Sequence, residues 1–159
     1  MNNDIREKDT DIPEGFREIR LAPNPFLERN GPLYGKLEGQ RFLVGLRVLE
    51  RHCNPAGTCH GGMLLTFADM TLIMASNVQA KLDRYLTTVN LSTDFVRAAP
   101  LGAWLEGRTE VLRVTGSLVF SQAILSLDDE PVARVSGILK PVGEHSARFG
   151  VGRYFGDAD

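Results

Sequence analysis

The sequence predicts an α+β fold in which a single antiparallel sheet wraps around one long central helix. Three observations lead there. Residues 61–80 form one apolar run of about helix length, with no strict alternation. The segment before it alternates apolar and polar residues with the period of a half-buried strand. Four further strand-like runs follow it, separated by turn residues. A chain of 159 residues fits one domain with one core.

Taken in order, residues 1–30 are polar and include Pro13, Pro23 and Pro25, so they read as a loose N-terminal arm or a short helix. Residues 33–37 suit a first strand. Phe42, Val44, Leu46 and Val48 then mark the buried face of a second. The loop HCNPAGTCHGG leads into the helix, whose apolar residues lie on nearly every side, so the rest of the chain must cover it all round. Strands are expected over 86–96, 103–114, 118–127 and 132–139. Pro100 with Gly102, Thr115 with Gly116, and residues 128–130 punctuate them as short hairpins would, giving a meander. The core domain therefore spans residues 31–142, and the Gly-rich, charged stretch 143–159 reads as a flexible C-terminal tail.

Composition narrows the function classes. Eighteen basic residues against twenty acidic ones give a net charge of −2, which advertises neither nucleic acid nor an anionic membrane. Two cysteines, Cys53 and Cys59, are too few for a disulfide scaffold, and the opening MNNDIREKDTD lacks the apolar stretch of a signal peptide. A cytoplasmic protein is expected. The apolar run is long enough to cross a bilayer, but Asp69 sits near its centre beside Thr66, Thr71, Ser76 and Asn77, and no second span exists to pair with it. A core helix fits that composition better.

The stretch NPAGTCHGGMLLTFAD carries the chemistry. Gly61 and Gly62 let backbone approach a ligand, and the free N–H groups of a helix start can cradle an oxygen that gains negative charge. Asp69 supplies a carboxylate within the apolar run. Gly61 and Asp69 are eight residues apart, roughly 12 Å along one helix at about 1.5 Å per residue. One helix cannot aim both at one carbonyl. If both act on one substrate, the acid comes from a second copy related by a two-fold axis.

These residues resemble the hotdog-fold acyl-CoA thioesterases of the PaaI-like, phenylacetate-pathway type. The pattern is Asn, Gly, His-Gly-Gly and then Asp eight residues after the first glycine of that pair, met here by Asn54, Gly57, His60, Gly61, Gly62 and Asp69. The order of elements is similar over residues 31–142. The resemblance implies an acyl-CoA thioesterase, dimeric or tetrameric, in which the Gly61 N–H polarises the thioester carbonyl. Asp69 of the partner subunit would serve as general base or nucleophile. Asn54 and His60 would hold substrate and water, and Gly62 would border the substrate. Thr88, or Thr87 in the other register, would face the acid. Arg97, Arg113 and Ser117 are the corresponding candidates for contact with coenzyme A, which is part of the substrate; neither a metal nor a bound organic cofactor is implied.

Other readings compete. His52, Cys53, Cys59 and His60 combine zinc-ligand chemistry, but each His adjoins a Cys and the two Cys are separated by five residues, unlike the usual spacing. Cys59 beside His60 suggests a nucleophile, though adjacent residues rarely point at each other. On the same fold, an acyl-thioester hydratase or dehydratase would use His60 and Asp69. A non-catalytic acyl-CoA-binding module would keep the shape without turnover.

Overall fold

In the computed structural model, residues 11–21 and 23–156 are described; the first ten residues of the expected arm, residue 22 and the last three of the tail lie outside them. Seven strands form one antiparallel sheet: β1 (Arg17–Glu18), β2 (Tyr34–Glu38), β3 (Arg41–Arg47), β4 (Tyr85–Phe95), β5 (Trp104–Val114), β6 (Val119–Leu127) and β7 (Glu130–Val142). A short helix, α1 (Pro25–Asn30), precedes β2, the long helix α2 (Gly61–Gln79) separates β3 from β4, and one turn, α3 (Val151–Tyr154), closes the chain. The α+β architecture expected from the sequence is the one observed.

The helix α2 is the core element. Phe67, Ala68, Leu72 and Ala75 on it are fully buried, as are Phe42, Val44 and Leu46 of β3 and Leu105 and Leu125 of β5 and β6. Each large side chain so buried contributes about 1.5–3 kcal/mol relative to exposure. Close approach of helix to sheet depends on two glycines. A Cβ at Gly107 would lie 2.5 Å from Thr71 Cγ2, and one at Gly137 would lie 2.7 Å from Leu72 Cδ1. Deep in that contact the Ser76 and Ser121 hydroxyls satisfy each other at 2.7 Å. Among the described residues α2 is the helix with the length and hydropathy of a membrane span; it packs against the sheet with half of that stretch buried, so the cover on every side expected from the sequence is not met within one chain.

The strand order is β1-β2-β3-β5-β6-β7-β4, which corrects the expected meander. The β5, β6 and β7 hairpins form as expected, but β4 does not turn back onto β5. It lies at the far edge and pairs with β7, while β5 pairs with β3. The cause is the segment after β4, which is clamped elsewhere. Cys59 N–H donates to the Ala99 carbonyl (2.7 Å), Leu101 N–H to Gly57 (3.0 Å) and Gly102 N–H to Val48 (2.8 Å). These bonds carry the chain across the mouth of the 54–60 loop and leave β4 free to cover the other flank of α2.

The described parts of the arm and of the tail, residues 11–21, 23–30 and 143–156, carry side chains that pack on the core. Phe16, Ile19 and Leu27 are buried, as is Tyr154. The Tyr154 and Phe155 rings lie 5.5 and 6.1 Å from that of Phe42. Arg20 N–H donates to the Tyr154 carbonyl at 2.7 Å, tying arm to tail. Polar composition hid this, because only a few apolar residues in each segment do the packing.

Candidate active site

The loop before α2 is a closed hairpin. Asn54 N–H donates to the Thr58 carbonyl (2.8 Å) and His60 N–H to that of His52 (2.8 Å), so Cys53 and Cys59 face each other as a non-hydrogen-bonded pair. The Asn54 side chain holds the turn itself: its Oδ1 accepts from Ala56 N–H at 3.0 Å, and its amide donates to Thr58 Oγ1 at 3.0 Å. Thr58 was not singled out from the sequence, although the Asn-x-x-x-Thr spacing is that of a side chain closing its own turn. His52 is buried beneath the loop, with Nδ1 accepting from Leu49 N–H at 3.0 Å. Burial lowers its pKa, and the neighbouring Arg51 adds to the effect.

This hairpin delivers the first turn of α2 with one donor to spare. A helix start carries four N–H groups without intrahelical partners. Here the exposed His60 is the N-cap, and its Nδ1 accepts from Gly62 N–H at 3.0 Å. The His60 N–H donates to the His52 carbonyl and the Met63 N–H to the His60 carbonyl, both at 2.8 Å, and Leu64 N–H to that same carbonyl (3.0 Å) is the first intrahelical bond. Gly61 N–H alone of the four has no acceptor among the described residues. An open groove of about 470 Å³ passes this group, with Phe95 and Arg97 on its other wall.

Two turns further on, half-buried Asp69 meets β4. Thr88 Oγ1 donates to Asp69 Oδ1 at 2.5 Å, a short charge-assisted bond, and Oδ2 has no hydrogen-bond partner among the described residues. Of the two threonines considered, Thr88 is the one on the acid; Thr87 is exposed. The register of β4 shifts between Thr88 and Asn90, a bulge at Val89 of the kind that re-aims side chains beside functional sites. Leu86 is buried and Thr88 meets the helix before the bulge, whereas Leu91 and the Thr93 hydroxyl are tucked in after it.

The remaining candidates separate. Arg97 shares the groove with Gly61. Arg113 and Ser117 are exposed near the β5–β6 turn and line neither that groove nor the surroundings of Asp69. The register Thr88–Leu139–Val119–Val114 sets that corner three strands away from Thr88, roughly 14 Å at about 4.8 Å per strand. Burial pushes the Cys53 thiol up and, with Cys53 alongside, the Cys59 thiol up to about 12, so a nucleophilic thiolate is a rare form near neutral pH. Among the described residues no three potential ligands gather to hold a metal.

Helix, enclosing sheet, open N–H and paired carboxylate together define a class, and comparison with known proteins agrees. A model of the thioesterase superfamily matches residues 56–133. A Pseudomonas aeruginosa protein named "Putative esterase PA0474" is 38% identical over 128 residues, covering 80% of this chain and 95% of that one. The chain belongs to the thioesterase superfamily and has its hotdog fold. Among solved structures, the Escherichia coli PaaI protein of the phenylacetic acid degradation operon superposes with a TM-score of 0.68 at 19% identity, over 77% of this chain and 88% of that one. A hypothetical thioesterase from Streptococcus pneumoniae, solved with coenzyme A, gives 0.63 at 18% identity, over 72% and 88%.

Proposed function

We propose that this protein is an acyl-CoA thioesterase that hydrolyses an acyl- or aryl-CoA ester to free acid and coenzyme A, at a site shared by two copies of the chain. The observation that carries the reading is the Asp69–Thr88 pair: a half-buried carboxylate fixed through Oδ1, with Oδ2 left to act. Oδ2 takes a proton from water as the water oxygen attacks the thioester carbon. The oxyanion so formed accepts a hydrogen bond from Gly61 of the partner subunit. Collapse expels the thiolate of coenzyme A, which recovers the proton. His60 caps the helix so that the Gly61 N–H stays open, and Asn54 keeps the hairpin closed.

A dimer is supported by the free edge of β4, where Tyr85, Val89 and Phe95, with Val96 just past its end, are each more than half exposed. A long apolar edge strand is a pairing surface. Antiparallel pairing of two β4 edges would bring the α2 start of one copy toward Asp69 of the other. The groove beside Gly61, with Arg97, suits the phosphates of coenzyme A, the molecule bound in the S. pneumoniae relative. Two cysteines, facing each other beside the helix start, suit a reducing, cytoplasmic setting, where they would stay thiols.

The test is thiol release over a panel of acyl-CoA esters, with assembly followed by mass in solution. Asp69→Asn should remove nearly all turnover while binding of coenzyme A and assembly persist. Turnover at the parent rate in that variant, or full activity in a lone monomer, would overturn the reading.

A further inference from the structure

We infer that the cavity between α2, the arm and the tail holds the acyl part of the substrate and selects chains that end in a carboxylate. This rests on the thioesterase reading and goes beyond it by naming the substrate class. The cavity measures about 430 Å³. Its apolar lining includes Met70 and Ile73 of α2 and Leu86 of β4. Ile73 lies one turn past Asp69 on the same helix face, about 6 Å along the axis. Leu86 lies two residues before Thr88 on the same strand face, about 7 Å away. The cavity therefore begins where the Asp69–Thr88 pair ends, on the side away from the helix start. A cavity of about 150 Å³ takes a benzene ring, so this one has room for a chain of medium length.

Its mouth is cationic. Arg20 from the arm, and Arg148 and Arg153 from the tail, border it. Arg20 and Arg148 form no ion pair among the described residues; Arg148 is held over the Phe149 ring, 5.7 Å from its centre. The neighbouring acid, Asp83, approaches the tail backbone at Gly150 and forms no ion pair among the described residues. Arg20 and Arg148, like charges at one apolar mouth, repel unless an anion joins them, and a guanidinium matches a carboxylate in two-point geometry. Both rim segments lie outside residues 56–133, the stretch that the family model matches. A thioester carbon at Asp69 with its acyl chain along Ile73 would carry a terminal carboxylate to these arginines.

The experiment compares octanoyl-CoA with the mono-CoA ester of octanedioic acid, which share the coenzyme A part and differ only at the chain end. The dicarboxylic ester should show at least a tenfold higher kcat/KM, mostly through KM. The ratio of the two values should fall at least fivefold in the Arg20→Leu/Arg148→Leu double variant. A parent ratio at or below one, or a ratio that the double variant leaves intact, would overturn the inference. If neither ester is cleaved, the thioesterase reading fails by itself, and calorimetry with octanedioate and octanoate decides the rest. Octanedioate bound more tightly than octanoate, and weakened at least fivefold in the double variant, sustains the selectivity; equal or absent binding removes it.

Discussion

The two ends of the site sit on one helix yet are built on opposite plans. At the first turn of α2, backbone does the work: His60 and its carbonyl satisfy the Gly62, Met63 and Leu64 N–H groups and leave the Gly61 N–H over. In the middle, a side chain does it, and Asp69 is fixed by a residue from a different element, Thr88 of β4. The donor depends on local hairpin chemistry, and the carboxylate depends on the register of a distant strand. Each half is complete as a structure, and under the proposed reaction each needs a second copy of the chain, because one helix holds donor and acid roughly 12 Å apart.

That contrast can be broken at either end. The largest effect is expected from Asp69→Asn, a loss of about 10³-fold or more in kcat, since the proposed reaction uses the carboxylate as its base. Thermal melting should move little, because the amide can still accept from Thr88. Gly61→Pro addresses the other end without removing a side chain. His60 has φ −62° and ψ 138°, the conformation required before proline, a proline at the first helical position needs no N–H, and a Cβ at Gly61 meets nothing closer than 3.7 Å. The substitution should lower kcat about 10²–10³-fold, the usual cost of one oxyanion donor, with the helix intact by circular dichroism. Thr88→Val should cost about 10-fold or more in kcat, in line with the loss of a hydrogen bond to a charged group, whereas Thr87→Val should cost less than about twofold. Equal losses at 87 and 88 would mean that the bulge does not hold in solution.

The smallest effect is a pH dependence confined to the donor end. The His52 pKa is lowered from its ordinary 6.5 by burial, and its Nδ1 must stay unprotonated to accept from Leu49 N–H. Above that pH both folded and unfolded chains hold the neutral ring. As pH falls below it, the unfolded chain binds the proton first and stability declines. Melting between pH 7.5 and 5.5 should therefore drop by about 2 °C more in the parent than in His52→Gln. An equal drop would take His52 out of the loop's stability.

The same division explains what could be read in the residues alone. The places of Gly61 and Asp69 on one helix were legible because their spacing is short-range and the helix is announced by its apolar length; the role expected of His60 came from the family resemblance. The choice between Thr88 and Thr87 was not fixed, and the bulge at Val89 is the reason. Alternation counted forward from Leu86 selects Thr88, but counted back from Leu91 it selects Thr87, and no residue at 89 signals the change of parity. The placement of β4 at the sheet edge was hidden too. Pro100 and Gly102 look like a hairpin turn, whereas the backbone bonds of that segment go to Gly57, Cys59 and Val48. Arg113 and Ser117, which the resemblance offers for contact with coenzyme A, lie at another corner of the sheet within one chain, and residue type carries no information about which corner meets a ligand. The arm and tail were read from their average polarity, which says little about the few apolar side chains that anchor them.

Whether the two halves meet across a dimer is tested most directly by mixing Gly61→Pro and Asp69→Asn chains, each nearly inactive, under conditions that let subunits exchange. In a shared site, a mixed dimer contains one pocket with the Gly61 N–H and the Asp69 carboxylate both intact. Random exchange makes about half the dimers mixed, each with one working site of two, so thiol release should recover to about a quarter of the parent rate. If activity stays at the level of the separate variants once mass measurement shows mixed dimers, donor and acid do not act across the interface and the shared site is wrong.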